Sequence, residues 1–88
     1  MAENIIYIKI YNTETMQDEW REFYTREIEE LIEQEIIDTD LLGWAMMKDK
    51  KSFDRAFEEL EQAGGQFGYK EIADKYIELS GEEIRIEL

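Results

Sequence analysis

Apolar and polar positions alternate at the start of the chain. Over residues 4–11, isoleucine recurs at every second position, and tyrosine or lysine fills most positions between. A period of two with β-branched residues predicts a β-strand whose isoleucines face the core. The inward set is Ile6, Ile8 and Ile10. The other side of this strand carries Tyr7 and Tyr11, which we expect to be partly exposed.

A period of three to four residues follows, and it predicts a helix over about residues 14–37. Asn12, Thr13 and Thr15 stand near its start as competent N-caps. The apolar stripe comprises Met16, Trp20, Phe23, Tyr24, Ile28, Leu31, Ile32 and Ile36. The carboxylates on the opposite face of the helical wheel are Asp18, Glu19, Glu22, Glu29, Glu30 and Glu33. Only Arg26 interrupts this acidic face.

The next segment predicts a second helix. Residues 38–40, with the sequence Asp-Thr-Asp, end the first helix and supply N-caps for the second. Trp44, Met46 and Met47 then form the most apolar run outside the strands. Core packing is the favoured interpretation of this run, and a groove for a partner protein is the alternative.

A third helix is predicted to begin at an N-cap on Ser52 and to end at Gly64, followed by Gly65. Glycine takes the left-handed conformation at a helix C-terminus without strain. The inward face of this helix carries Phe53, Phe57 and Leu60. Its carboxylates are weaker candidates for partner binding, namely Glu58, Glu59 and Glu61.

The end of the chain leaves two interpretations open. Residues 69–79 favour a helix ending at Gly81, because they contain strong helix formers and no β-branched run. A hairpin is the alternative, with Ile77 and Leu79 matched to the last strand. In both cases residues 82–88 contain a strand, and the side chains expected to join the first strand are Ile84, Ile86 and Leu88.

These elements predict an α+β fold in one domain over residues 1–88. We expect a small antiparallel sheet of two to three strands in which the N- and C-terminal strands are paired. Three to four helices would cover one face of that sheet.

Charge limits the functions that this chain can have. Asp and Glu number 23 against 10 Lys and Arg, for a formal net charge of −13. Such a charge disfavours direct binding to nucleic acid or to an anionic membrane and favours basic partners. No apolar run approaches the roughly 20 residues of a membrane span, and no basic region precedes the first apolar run as in a signal peptide. We therefore expect a cytoplasmic protein, monomeric or homodimeric.

The composition argues against catalysis. Histidine and cysteine are absent, so the chain lacks a side chain that titrates near neutral pH without perturbation, and it lacks a thiolate. Its serines, Ser52 and Ser80, are explained by a helix cap and a turn. We expect a protein that is not an enzyme and that needs no cofactor.

One segment has part of the pattern of a calcium loop. Asp38, Asp40 and Gly43 match loop positions 1, 3 and 6. Leu42 stands at position 5 and Asp49 at position 12, where an oxygen ligand and a bidentate Glu are required. A helix cap followed by a buried helix is the better interpretation, and we expect no metal.

The acidic charge is concentrated in one part of the chain. Residues 14–40 sum to −9, residues 41–57 to +2 and residues 58–88 to −6. In a helix, the carboxylates of residues 14–38 would recur about every 3.7 Å, close to the ~3.4 Å per phosphate of a DNA strand. A solvated helix face, a surface for a basic protein and a mimic of nucleic acid are the three interpretations. The scarcity of interspersed cations favours the last one.

Small size, strong acidity, the absence of Cys and His, and an α+β pattern together resemble the phage and mobile-element inhibitors of bacterial defence. These include DNA-mimicking anti-CRISPR and antirestriction proteins. The stretch from Phe67 to Gly81, with Tyr69 and Ala73, is similar to the C-terminal parts of antirestriction proteins from conjugative elements. The resemblance implies binding to a CRISPR effector or restriction enzyme where DNA would bind.

The sequence therefore leads to two functional hypotheses. The first is a non-enzymatic inhibitor that presents the acidic residues of the predicted first and third helices to a nucleic-acid-binding channel. The alternative is a protein-interaction module or homo-oligomer that works through its apolar surface, near Trp44 and Met47.

Overall fold

The computed structural model describes residues 4–88, and these have the expected α+β fold. The strands and helices are β1 (Ile5–Asn12), β2 (Gln17–Tyr24), α1 (Ile28–Glu33), α2 (Thr39–Met46), α3 (Lys50–Ala63), α4 (Tyr69–Ser80) and β3 (Ile84–Glu87). Short 3-10 turns at Thr25–Glu27 and Met47–Asp49 lead into α1 and α3. None of the helices in this part of the chain is long and apolar enough to cross a bilayer.

The three strands form a mixed sheet in the order β2-β1-β3. β1 pairs antiparallel with β2, placing Ile6 opposite Phe23, and parallel with β3, placing Ile8 opposite Ile86. The expected pairing of the N- and C-terminal strands is confirmed, but the expectation of a purely antiparallel sheet is wrong. A parallel pair needs a long crossover connection, and the helices between β2 and β3 supply it.

The core contains the isoleucines of the sheet and one side of each of three helices. Its buried members are Ile6, Ile8, Ile28, Leu31, Ile37, Leu42, Met46, Ile72, Ala73, Tyr76, Ile84 and Ile86. Of the strand side chains expected to face the core, Ile6, Ile8, Ile84 and Ile86 are buried, and the other two are not. Ile10 is only partly buried, and the Leu88 side chain is 60% exposed.

The helix predicted over residues 14–37 is wrong in its first half, where the chain forms β2 of a hairpin. The main-chain carbonyl of Asn12 accepts a 2.7 Å hydrogen bond from the Met16 amide. The Asn12 side-chain oxygen accepts from the amides of Glu14 and Thr15 at 2.9 and 3.4 Å. A residue that the sequence offered as a helix cap therefore closes a turn, which is a competing use of the same side chain.

The pairing of β2 with β1 decides between a helix and a strand for this segment. Phe23 lies on the core side of the sheet opposite Ile6, whereas Met16 is 74% exposed in the turn. Aromatic residues at steps of three and four fit a helix, but the same residues also fit a strand with one partly exposed face. The non-local ladder with β1 overrides the helical period, and α-helix is retained from Ile28 to Glu33.

Two further carboxylates, Glu27 and Glu35, lie near the two ends of α1 and have local structural roles. The Glu27 side chain accepts a 2.7 Å hydrogen bond from the Tyr24 amide at the start of the 3-10 turn. Glu35 follows α1 with a φ of 61°, and its own amide donates a 3.0 Å hydrogen bond to the Ile32 carbonyl. The amide of the next residue, Ile36, donates to the Leu31 carbonyl at 2.9 Å. Both residues therefore lie at the boundaries of α1.

The helix boundaries in the second half follow the capping chemistry. Asp38 accepts a 2.8 Å hydrogen bond from the Leu41 amide, which confirms the predicted cap of α2. α3 begins three residues earlier than expected, because Asp49 is its N-cap and accepts from the amide and hydroxyl of Ser52. It ends at Gly64, whose φ is 72°.

The open question about residues 69–79 is resolved in favour of the helix. The helical pattern places Ile72, Tyr76 and Leu79 inward, and in α4 the first two are buried while Leu79 is partly buried. Gly81 ends it in the left-handed conformation, and its amide donates a 2.9 Å hydrogen bond to the Ile77 carbonyl.

Candidate interaction surfaces

The predicted acidic face does not exist as one helical surface, because its first three members lie on β2. Asp18 stands opposite Tyr11, and Glu22 stands opposite Tyr7, on the side of the sheet away from the core isoleucines. We call this side the outer face, defined by Tyr7, Lys9, Tyr11, Asp18, Trp20, Glu22 and Arg85. Asp18 and Glu22 are both exposed there.

Glu19 differs from Asp18 and Glu22 because it points to the other side, opposite Ile10. Its carboxylate accepts hydrogen bonds from the Asn12 amide group at 3.1 Å and from the Thr15 hydroxyl at 3.2 Å. These bonds stabilise the turn between β1 and β2. Glu19 is therefore a structural residue in this fold and a weaker candidate for partner binding.

The second half of the predicted face lies on α1, where Glu29, Glu30 and Glu33 are exposed. Glu30 accepts a 3.0 Å hydrogen bond from the Gln34 side chain. The Glu29 carboxylate reaches Gly68 so closely that a methyl group added at Gly68 would meet its oxygen. The acidic residues are thus divided between a strand and a short helix, and the helical charge spacing derived from sequence does not apply.

The weaker candidates on α3 have different environments. Glu59 lies 3.6 Å from the Arg55 guanidinium and 4.0 Å from the Lys75 ammonium. Glu58 is exposed and accepts a 3.4 Å hydrogen bond from the Gln62 side chain, whereas Glu61 is exposed and has no such contact with another residue from 4 to 88. Glu59 therefore joins α3 to α4, and the other two remain accessible.

Ion pairs separate the carboxylates into two groups. Between residues 4 and 88, the ion pairs lie on α3, on α4 and at the start of β3. The carboxylates that take part are Asp54, Glu59, Asp74, Glu78 and Glu83. Among residues 4–88, no ion pair involves a carboxylate of β2 or α1. The acidic residues singled out on these two elements are therefore exposed or hydrogen-bonded to neutral groups, and no described cation forms an ion pair with them.

Several cations near the sheet instead lie over aromatic rings. The Arg85 guanidinium is 4.9 Å from the Tyr7 ring centroid and 5.1 Å from that of Trp20. The Lys9 ammonium is 5.7 Å from the Trp20 ring, and the Arg26 guanidinium is 4.6 Å from the Tyr24 ring. The electron-rich face of a ring attracts a cation, so these contacts hold the side chains against the outer face.

Trp44 does not belong to the core, which contradicts the favoured interpretation of its segment. Its side chain is 79% exposed, and that of Met47 is 44% exposed, while Met46 between them is 2% exposed. α2 therefore has one buried side and one exposed apolar side. With Trp20, Lys48, Arg85 and Glu87, the exposed residues line a shallow cleft of about 530 Å³ between α2 and the outer face.

Two ionisable groups, the partly buried Asp74 and the buried Tyr76, have structural roles. Asp74 accepts hydrogen bonds from Asn4 at 3.0 Å, Thr25 at 2.6 Å and Lys70 at 2.8 Å. Burial by itself raises the pKa of Asp74, but the bonds from Lys70, Thr25 and Asn4 outweigh it and hold that pKa below its usual value. Burial, with the nearby Asp49 carboxylate, raises the pKa of the Tyr76 hydroxyl. In the described part of the chain, no group of three or more carboxylates is arranged to hold a metal ion.

Comparison with known proteins gives no relative from which a function can be transferred. No family model, curated protein or solved structure matches this chain.

Proposed function

We propose that this protein is a non-enzymatic inhibitor that binds a basic, nucleic-acid-binding surface of a bacterial defence protein, such as a CRISPR effector or a restriction enzyme. The observation that carries the proposal is the exposed acidic charge on β2 and α1 that forms no ion pair with another described residue. Asp18 and Glu22 on the strand, with Glu29 and Glu33 on the helix, are exposed and form no ion pair with another described residue. Charge left unpaired in this way is available to lysines and arginines of a partner.

The carboxylates that would take the place of DNA phosphates do not form a single row, because they lie on two elements. A strand and a helix each contribute a pair of accessible carboxylates, so the partner would meet two acidic patches. We expect the arginines and lysines that hold the phosphates of DNA to contact these patches instead. Electrostatic steering would bring the two proteins together, and no chemical step by this chain is needed. The interaction would take place in the cytoplasm, where such defence proteins meet foreign DNA.

Charge reversal tests the two patches separately. Asp18→Lys with Glu22→Lys alters the strand, and Glu29→Lys with Glu33→Lys alters the helix. Glu78→Lys with Glu82→Lys is the matched control, since each pair changes the net charge from −13 to −9. Affinity for the target, measured by calorimetry, should fall at least about tenfold for a pair in the interface, because like charges are then opposed.

The control pair should bind nearly as well as the natural protein. Equal losses in all three variants would mean that only the overall field matters. Full affinity in both the strand and helix variants, with the fold retained, would remove these carboxylates from the interface.

The alternative function, an interaction through apolar surface, is favoured by one specific observation. Trp44 on α2 and Met47 directly after it are exposed beside Trp20 of the sheet. Contiguous exposed apolar side chains rimmed by polar ones mark interaction sites in proteins of this size. Trp44→Ala distinguishes the two functions, since it leaves the acidic patches intact. Loss of target binding in this variant would favour the apolar surface, and unchanged binding would favour the acidic patches.

A further inference from the structure

The cleft between α2 and the outer face is lined mainly by aromatic, apolar and basic side chains, whereas the chain as a whole is strongly acidic. Two tryptophans, Met47 and the cations Lys48 and Arg85 line it, and Glu87 is the acidic residue among the lining side chains. The chain as a whole carries −13. A basic and aromatic cleft in so acidic a protein is not explained by a function that depends on acidic patches.

We propose that this cleft, which we call the Trp20–Trp44 cleft, is a second binding site that takes a peptide segment of a partner protein with an apolar side chain next to a carboxylate. Trp44, 79% exposed, and Trp20, 40% exposed, would cover the apolar side chain. Tryptophan combines a large apolar area with few rotatable bonds, which is why it is enriched among the residues that dominate binding energy.

Lys48 provides the site for the carboxylate. It is exposed at the rim of the cleft, and no hydrogen bond or ion pair joins it to another residue between 4 and 88. Arg85 also lines the cleft and already holds Glu83 through its Nε and Nη2 atoms, at 3.1 and 2.8 Å. Arg85 is fixed between Tyr7 and Trp20, so it supplies a positioned cation with part of its donor set still available.

Charge complementarity favours a peptide over the other occupants. A single peptide carboxylate would lie close to Lys48 and Arg85, and their attraction acts at short range. The repulsion from acidic residues elsewhere on the protein is screened by salt beyond about 10 Å. A nucleic-acid strand would bring many phosphates against Asp18 and Glu22 on the same outer face. A second copy of the chain would bring its own charge of −13.

Selection from a random peptide library on the immobilised protein, with counter-selection on a Trp44→Ala variant, tests the proposal. The exposure of Trp44 means that this variant should fold, and circular dichroism checks it. We expect the enriched peptides to carry Asp or Glu within two positions of an apolar residue. Synthetic forms without tryptophan can then be titrated by fluorescence, because the only two tryptophans of the chain both line the cleft.

Matched charge reversals give the sharpest comparison. Lys48→Glu should weaken binding of the enriched peptides about tenfold, the size expected when a bond to a charged group is lost. Lys51→Glu changes the net charge equally at an exposed position outside the cleft and should weaken it less than about twofold. Glu29→Lys with Glu33→Lys should leave peptide binding in place, which separates this site from the acidic patches.

Several results would overturn the proposal. These are an absence of peptides that depend on Trp44, enrichment of basic or uncharged sequences, or equal losses from Lys48→Glu and Lys51→Glu. Binding of an oligothymidylate with the same dependence on Trp44 would assign the cleft to single-stranded nucleic acid. A dimer in light scattering that Trp44→Ala converts to a monomer would assign it to a second copy.

Discussion

The Thr25 hydroxyl donates a 2.6 Å hydrogen bond to the Asp74 carboxylate and thereby joins the junction of β2 and α1 to α4. Asn4, just before β1, donates to the same oxygen of Asp74 at 3.0 Å. Thr25 is 2% exposed. One carboxylate thus connects the hairpin to the last helix, and the acidic residues on either side of Thr25 depend on this connection for their positions.

Replacement of Asp74 by alanine should lower the free energy of unfolding by about 2–3 kcal/mol. It removes the acceptor of three hydrogen bonds and leaves the buried Thr25 hydroxyl unsatisfied. Asp54→Ala is the control, because its ion pair with Lys50 joins side chains that are 60% and 65% exposed, and its loss should cost less than about 0.5 kcal/mol. Urea unfolding measures both. Equal effects of the two substitutions would show that the Asp74 network adds no stability.

The contribution of Asp74 should depend on pH. Its pKa in the folded protein lies below the ordinary value of 3.8, so its ionised form is bound more favourably by the fold than its protonated form. The contribution is complete above pH 3.8 and is lost as the pH falls through the lower, folded-state pKa. The difference in unfolding free energy between the natural protein and Asp74→Ala should therefore be constant near neutral pH and shrink below about pH 4. A difference that grows on acidification would contradict this account.

The hairpin that replaces the predicted helix can be tested at Met16. This residue has a φ of 57°, a conformation that costs an L-residue about 1–2 kcal/mol and costs glycine little. Met16→Gly should raise the free energy of unfolding by about 0.5 kcal/mol after the greater freedom of glycine in the unfolded chain is subtracted. Met47→Gly, at a helical φ of −69°, should lower it by about 0.5–1 kcal/mol. A loss of stability from Met16→Gly would favour a helix over residues 14–37.

The same substitution at two glycines should have opposite effects. Gly43 lies within α2 with no atom within 4 Å of an added Cβ, so Gly43→Ala should stabilise the protein by about 0.5–1 kcal/mol. Gly81 ends α4 at a φ of 68°, and Gly81→Ala should destabilise it by about 1 kcal/mol. Thermal unfolding of both variants checks the signs. Stabilisation by Gly81→Ala would mean that α4 does not end in the left-handed conformation.

Sequence reasoning succeeded where the structure is governed by local signals. The alternating isoleucines of β1, the cap at Asp38 and the glycine that ends α4 each act within a few residues of themselves. A pattern in the sequence can predict such features because no distant contact is needed to decide between the alternatives.

Sequence reasoning failed where the structure depends on contacts between distant residues. The period of Trp20, Phe23 and Tyr24 fits a helix and a strand equally, and only the ladder with β1 selects the strand. The exposure of Trp44 was missed for a related reason, since an apolar run does not reveal which of its sides faces the core. The cations over the outer face also lay beyond prediction, because Arg85 meets Trp20 only after β3 has joined β1.

The most direct test of the proposed function is capture of a target from nuclease-treated bacterial lysate on the immobilised protein, followed by elution with duplex DNA. Columns carrying the strand variant, Asp18→Lys with Glu22→Lys, the helix variant, Glu29→Lys with Glu33→Lys, and the Glu78→Lys, Glu82→Lys control run in parallel. We predict a nucleic-acid-binding defence protein that DNA releases and that the control column retains as well as the natural protein does. At least one of the strand and helix variants should fail to capture it. A partner that excess DNA does not release, and that all columns capture equally, would contradict the account.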